Sequence, residues 1–113
     1  MNKDIHVYLE DILESIEKIE GYTKGLDFAE FEENTEHQDA VIRRLEILGE
    51  AVKRISQSVR EEYPDIPWKQ IAGMRDILIH EYADVSLKRI WKVVTNELAP
   101  LKEAIQAMLQ KRH

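Results

Sequence analysis

The sequence predicts an all-α protein, an up-and-down bundle of four to five helices. Apolar residues recur at the three- and four-residue steps of one helical face over most of the chain. Alternating β-branched stretches of the kind that form half-buried strands are almost absent. The connections between helical segments are short, which favours antiparallel neighbours. A chain of 113 residues is long enough for one core, so we expect a single domain over residues 1–113.

The first two helices occupy the N-terminal half. Residues 4–20 place isoleucine and leucine along one helical face, and Gly21 follows as an expected stop. The connection over residues 21–34 is rich in acidic residues and leaves room for a short helical turn. Helical spacing then continues from about Thr35 to residue 63, which predicts one long helix ended by Pro64.

The last two helices lie in the C-terminal half. The third is predicted over residues 67–80 and begins with a proline, which suits the first helical position because no N–H is needed there. Asp84 or Ser86 can cap the next helix, which is predicted over residues 87–110. Pro100 is expected to kink or interrupt that helix.

Composition excludes several classes of chemistry. The chain has no cysteine, which rules out disulfides and thiolate chemistry and is compatible with a reducing cytoplasm. The four histidines lack metal-ligand spacing and the glycines form no phosphate-binding loop, so we expect no metal and no cofactor. The N-terminus is charged and lacks a long apolar run, which predicts a cytoplasmic protein without a membrane segment.

Charge is distributed unevenly along the chain. The net charge of −6 argues against a general nucleic-acid binder, because Lys and Arg supply most non-specific affinity for phosphates. Residues 1–40 hold 12 acids and 3 bases, whereas residues 41–113 hold 10 acids and 13 bases. A local basic face is one interpretation of the second part, and ordinary solvated helix surfaces are the other.

The stretch MRDILIHEYADV, Met74 to Val85, carries the main candidate chemistry as Arg75, His80 and Tyr82. Arg75 is a permanent cation able to grip two phosphate oxygens, and His80 can carry a proton at neutral pH. Metal-free RNA cleavage needs both functions. The 2′-hydroxyl must be deprotonated, and positive charge must stabilise the pentavalent phosphorane as the 5′-oxygen leaves.

Helical geometry restricts how this motif could work. On a regular helix, Arg75 and His80 point about 140° apart. They can face one substrate only if the helix ends before His80 or if a second subunit completes the site, as two apposed motifs of a dimer would. A purely structural interpretation is also open: Arg75 could pair with Glu81 or Asp84, and His80 could interact with the helix dipole.

The motif and its surroundings resemble the HEPN superfamily. MRDILIHEY is similar to its signature, and specifically to the R-x-x-x-x-H-x-Y form of HepT-like toxins. RRLEILGEAVKRIS, Arg43 to Ser56, is similar to the Gly-Glu-Ala helix of that family, and PDIPWKQIAGMRD is similar to its approach to the motif. The matching stretches cover most of the chain from Arg43 to Tyr82.

This resemblance implies a HEPN-like fold and the toxin of a type VII-like toxin–antitoxin system, a metal-independent endoribonuclease. It implies that Arg75 stabilises the scissile phosphate of an RNA substrate, that His80 transfers protons and that Asp76 orients a neighbour. The implied partner is an MntA-like nucleotidyltransferase antitoxin that transfers AMP from ATP to Tyr82. The family also implies a homodimer, and a larger assembly with the antitoxin stays open.

Two questions stay open at this level. Glu50 matches the family pattern, and it could form a salt bridge of structural value alone or support the site. The chain could also be a non-catalytic helical adaptor, a substrate-binding subunit of a minimal nucleotidyltransferase. Its acidic surface suits a protein partner better than bulk RNA.

Overall fold

The computed structural model describes residues 4–80 and 86–111, with residues 79 and 80 described by their backbone only. These ranges are helical and contain no strand, which confirms the all-α class. None of their helices combines the length and apolarity needed to cross a membrane. The elements are α1 (Ile5–Thr23), α2 (Phe28–Glu33), α3 (Thr35–Lys53), α4 (Gln57–Arg60), α5 (Trp68–His80), α6 (Leu87–Lys92), a π-helical turn (Val93–Glu97) and α7 (Leu98–Lys111).

Helix α1 is amphipathic and longer than predicted. Gly21 does not stop it, because the helix continues to Thr23, whose hydroxyl donates to the carbonyl of Ile19 at 2.9 Å. A glycine inside a helix costs only about 1 kcal/mol relative to alanine, which the surrounding turns can sustain. The glycine with a left-handed backbone is Gly25, at φ 78°, in the connection that follows.

Helix α2 is the short turn expected in the acidic connection. Asp27 and Glu30 form a capping box, in which each side chain accepts the backbone N–H of the other residue, at 2.8 and 3.1 Å. Phe31 is fully buried and packs against Trp91 of α6, with ring centroids 5.0 Å apart. The acidic connection is therefore fixed to the C-terminal half of the fold.

The long helix predicted over residues 35–63 is wrong, because α3 ends at Lys53. Arg60 folds back onto the end of α3 and donates from Nη2 to the carbonyl of Val52 at 2.8 Å, and from Nε to that of Ile55 at 3.1 Å. Arg60 therefore satisfies the carbonyl of Val52, in the last turn of α3, without another helical turn. The apolar spacing gave no sign of this break, since buried residues continue through it.

The core is formed by the facing sides of the long helices. Helix α3 packs against both α1 and α5, and α7 packs against α1. Lys102, early in α7, donates to Glu20 near the end of α1 at 2.8 Å, so these two helices run antiparallel. The largest fully buried side chains are those of Phe31, Leu9, Ile12, Ile16, Ile19, Leu48, Leu78, Ile90, Leu98, Leu101, Ile105 and Val41.

Helix α5 agrees with its predicted bounds to within one residue at its start. The carbonyl of Pro67 accepts the N–H of Ile71, and the indole N–H of Trp68 donates to the carbonyl of Tyr63 at 3.0 Å. These bonds fix the direction in which α5 leaves the preceding turn.

The last helix is interrupted where Pro100 was expected to disturb it. The N–H of Leu98 bonds to the carbonyl of Val93, five residues back, which defines the π-helical turn. Pro100 is the third residue of α7, the helix that directly follows the π-helical turn, so the i−4 hydrogen bond that it cannot donate would have ended on the carbonyl of Asn96, within that turn. Ser86 caps α6 by accepting the N–H of Lys88 at 3.2 Å, and Asp84, the other predicted cap, lies outside the described residues.

Candidate active site

The candidate site lies at a close approach of α3 and α5. Gly49 of α3 faces α5, and a Cβ atom added to it would lie 2.7 Å from the Cβ of Arg75. The same added atom would be 3.4 Å from the carbonyl oxygen of Ile71. Unbonded carbon atoms prefer separations of about 3.5–4.0 Å, so only glycine allows this approach. Gly49 thereby places the backbone of Arg75 directly against α3.

Glu50, the next residue of α3, binds the guanidinium of Arg75. Its Oε2 lies 3.1 Å from Nε of Arg75, and its Oε1 lies 3.1 Å from Nη2 of Arg54. The Glu50 side chain is 41% exposed and that of Arg75 is 30% exposed, so this ion pair lies at the protein surface. Glu50, whose role the sequence left open, therefore contacts Arg75, the first residue of the motif.

Asp76 contacts the other side of the same guanidinium. Its Oδ1 accepts a hydrogen bond from Nη1 of Arg75 at 3.1 Å and lies 3.6 Å from Nζ of Lys53. The hydrogen bond from Arg75, followed by the charge of Lys53, lowers the pKa of Asp76 below its ordinary value of 3.8. The Asp76 carboxylate is therefore ionised at neutral pH.

These contacts orient Arg75 without using all of its donors. A guanidinium has five N–H groups in a fixed planar fork. Glu50 engages Nε and Asp76 engages Nη1, whereas no described side chain bonds to Nη2. With Lys53 and Arg54 included, the cluster holds three cations and two carboxylates. The cluster of described side chains therefore keeps a surplus of one positive charge.

The structure describes only part of the predicted motif. Helix α5 includes His80 as its last residue, as predicted, so the alternative in which the helix ends before His80 does not hold. The positions of Arg75 and His80 around the axis of the helix therefore differ by about 140°. The His80 side chain, together with Tyr82 and the proposed pairing residues Glu81 and Asp84, lies outside the described residues.

Lys53 and Arg54 were missed by sequence reasoning. Arg54 stands four residues after Glu50, a spacing that predicts an ion pair on a helix face. Nothing local indicates that Lys53 reaches Asp76, because that contact joins two helices. In the described ranges, no group of three or more His, Asp and Glu side chains is arranged to hold a metal ion.

The structure therefore defines the chain as a small all-α bundle with a surface arginine, Arg75, held between Glu50 and Asp76. The model of the Ribonuclease HepT-like family matches residues 12–108. The chain belongs to this family, which confirms the resemblance seen in the motif and the ribonuclease class at the level of the family.

Curated relatives cover most of the chain. A Methanocaldococcus jannaschii protein named "Gamma-glutamylcyclotransferase and putative RNase" is 49% identical over 111 residues, which are 98% of this chain and 50% of that protein. The chain thus spans half the length of that relative. A Thermococcus cleftensis protein named "Probable ribonuclease HepT" is 46% identical over 95 residues, 84% of this chain and 86% of that protein. No solved structure matches the chain.

Proposed function

We propose that the chain is the toxin of a type VII-like toxin–antitoxin system, a metal-independent endoribonuclease that uses Arg75 and His80. The observation that carries the proposal is the guanidinium of Arg75, oriented at the surface of a HepT-like chain by Glu50 and Asp76. An arginine fixed in this way can bind phosphate oxygens through its remaining N–H groups.

In the proposed reaction, His80 removes the proton of the RNA 2′-hydroxyl while the 2′-oxygen attacks the adjacent phosphorus. The bond from phosphorus to the 5′-oxygen breaks, that oxygen takes up a proton from water as it leaves, and His80 then releases its proton to solvent. The products are a 2′,3′-cyclic phosphate and a free 5′-hydroxyl. Arg75 stabilises the negative charge that develops on the phosphorane oxygens. Positioned general bases and oxyanion donors each contribute roughly 10²–10³-fold or more to such rates.

A homodimer would solve the geometric problem of the helical motif. Because α5 is regular to His80, the two residues of one chain diverge around the helix. We propose that Arg75 of one copy and His80 of a second copy act on the same phosphate. A mixed dimer of Arg75→Ala and His80→Ala chains would then retain one complete site, which a site formed within each chain would not.

The proposed off-switch is transfer of AMP to Tyr82 by an MntA-like nucleotidyltransferase antitoxin. The phenol oxygen attacks the α-phosphorus of ATP, pyrophosphate leaves and the phenol proton is released. The added phosphate places negative charge and bulk beside the motif, which disfavours binding of an RNA backbone. Intact-mass analysis after co-expression should show AMP additions that are absent from Tyr82→Phe, and additions persisting in that variant would reject this role.

Growth and RNA cleavage test the central proposal. Expression of the chain alone should arrest the host, and purified chain should cut RNA in the presence of EDTA. Arg75→Ala and His80→Ala should each abolish both effects, whereas Arg43→Ala, at an exposed arginine outside the site, should leave them unchanged. A wild-type chain that leaves growth and RNA intact would reject the proposal.

A second candidate is the adaptor role on a nucleotidyltransferase. Two carboxylates beside Arg75 compete with a phosphate for its guanidinium, and residues 1–40 carry 12 acids. Both features favour a protein partner over RNA. Stable binding to the nucleotidyltransferase by a chain that is harmless and does not cut RNA would support the adaptor.

A further inference from the structure

Helix α6 carries three exposed cations, Lys88, Arg89 and Lys92. No carboxylate occurs from Leu87 to Asn96, so these cations have no acidic neighbour within their own segment. Within the described part of the chain, none of the three forms an ion pair. Their charges are therefore available to a ligand.

This availability distinguishes α6 from the rest of the described chain. Arg60 is engaged by backbone carbonyls, and most other cations are held by carboxylates. The ion pairs of the described lysines and arginines are Lys18–Glu14, Arg43–Glu46, Lys53–Asp76, Arg54–Glu50, Arg75–Glu50, Arg75–Asp76, Lys102–Glu20 and Lys111–Glu62. The remaining described cations, Lys24, Arg44 and Lys69, are each on a different element. Only α6 therefore groups several available cations together.

The three cations share one side of the helix. At about 100° per residue, they span an arc of about 100°. Ile90, which is 1% exposed, anchors the opposite side in the core. Lys88 and Lys92 are one turn apart, about 6 Å along the axis, which is of the order of the distance between successive phosphates on an extended strand.

This surface lies close to the candidate site along the chain. Helix α6 begins seven residues after His80, the end of α5. Seven residues span at most about 25 Å even when fully extended, so a short stretch of nucleic acid can reach both places.

We propose that Lys88, Arg89 and Lys92 form a phosphate-binding surface for the single-stranded RNA that flanks the scissile bond. The inference rests on the proposed ribonuclease function and extends it to how the substrate is held. RNA fits better than an acidic protein segment because α6 begins within about 25 Å of the end of α5, the helix that carries Arg75, and repeats its cations at helical-turn spacing. Contacts of this type position a strand without reading its bases, so little sequence preference is expected from α6.

The test combines Lys88→Gln, Arg89→Gln and Lys92→Gln in the full-length chain. Binding to a fluorescent 2′-O-methyl oligoribonucleotide, which lacks the attacking hydroxyl, is measured by anisotropy over a range of salt concentrations. Each phosphate contact on a single strand contributes about 0.7 to the slope of log K against log salt, so loss of three contacts should flatten the slope by about 2. Lys88→Arg with Lys92→Arg should keep the wild-type slope.

A matched control removes the same charge elsewhere through Lys24→Gln, Arg43→Gln and Lys111→Gln, and its slope should remain near that of wild type. An unchanged slope in the α6 variant, with wild-type cleavage of ordinary RNA, would reject the surface while the ribonuclease proposal stands. A wild-type chain that neither binds nor cuts RNA would reject both. Loss of nucleotidyltransferase binding with an unchanged RNA slope would assign α6 to the protein partner instead.

Discussion

Replacing Gly49 by alanine should weaken the contact between α3 and α5 and displace the arginine of the candidate site. The added Cβ would lie 2.7 Å from the Cβ of Arg75, an atom fixed to the backbone that cannot rotate away. An ordinary carbon contact needs about 3.5–4.0 Å, so the two helices must separate by about 1 Å. The 3.1 Å contact between Glu50 and Arg75 would be strained by the same movement.

The free energy of unfolding reflects two opposing effects. Overpacking of this type costs about 1–3 kcal/mol, and replacing glycine by alanine within a helix gains about 1 kcal/mol. The expected net loss for Gly49→Ala is about 1 kcal/mol. Gly21→Ala in α1 is the matched control, because a Cβ there meets no atom within 4 Å. It should gain up to about 1 kcal/mol.

Urea unfolding followed by circular dichroism measures this difference. The two variants should differ by about 2 kcal/mol, or about 1 M in the urea midpoint for a typical m-value of a small protein. RNA cleavage should fall in Gly49→Ala and remain unchanged in Gly21→Ala. Equal stabilisation by Gly49→Ala and Gly21→Ala would refute the close contact between α3 and α5.

Three further predictions concern contacts near the site. Glu50→Gln should change the free energy of unfolding by less than about 1 kcal/mol, as for other surface ion pairs. It should also lower RNA cleavage, because Arg75 would be less ordered, and unchanged cleavage in a nuclease assay would contradict the orienting role of Glu50. Because the pKa of Asp76 is lowered in the fold, its stabilising effect is present above the ordinary value of 3.8 and is lost as pH falls below it. Urea midpoints of wild type and Asp76→Asn should therefore converge from about pH 5 downward, and a constant difference would exclude this linkage. Ser86→Ala should cost about 1 kcal/mol in thermal or urea unfolding through loss of the α6 cap, and Ser86→Gly only a few tenths.

The sequence predicted features that depend on local spacing and missed those that depend on contacts between helices. Apolar periodicity located the starts of the long helices, and Arg75 as a site residue stays a prediction that the structure supplies with two carboxylate contacts. The end of α3 at Lys53 was missed because Arg60 satisfies carbonyls from outside the helix, a contact that periodicity cannot show. The role of Gly49 likewise follows only from the distance to α5.

The π-helical turn allows one nearly continuous helix to pack against two different neighbouring helices. Before it, α6 packs against α2; after it, α7 packs against α1. A π turn winds each residue through a smaller angle than an α turn, so the register of α7 lags behind that of α6 by roughly the 100° of one residue. In an uninterrupted α-helix, the spacing of the apolar residues would place those of α6 and those of α7 on the same side of the helix. Removing one residue from Val93–Glu97 would bring the apolar sides of α6 and α7 into line. Either α6 would then lose its packing against α2 or α7 would lose its packing against α1, so packing on both sides fixes the length of this segment.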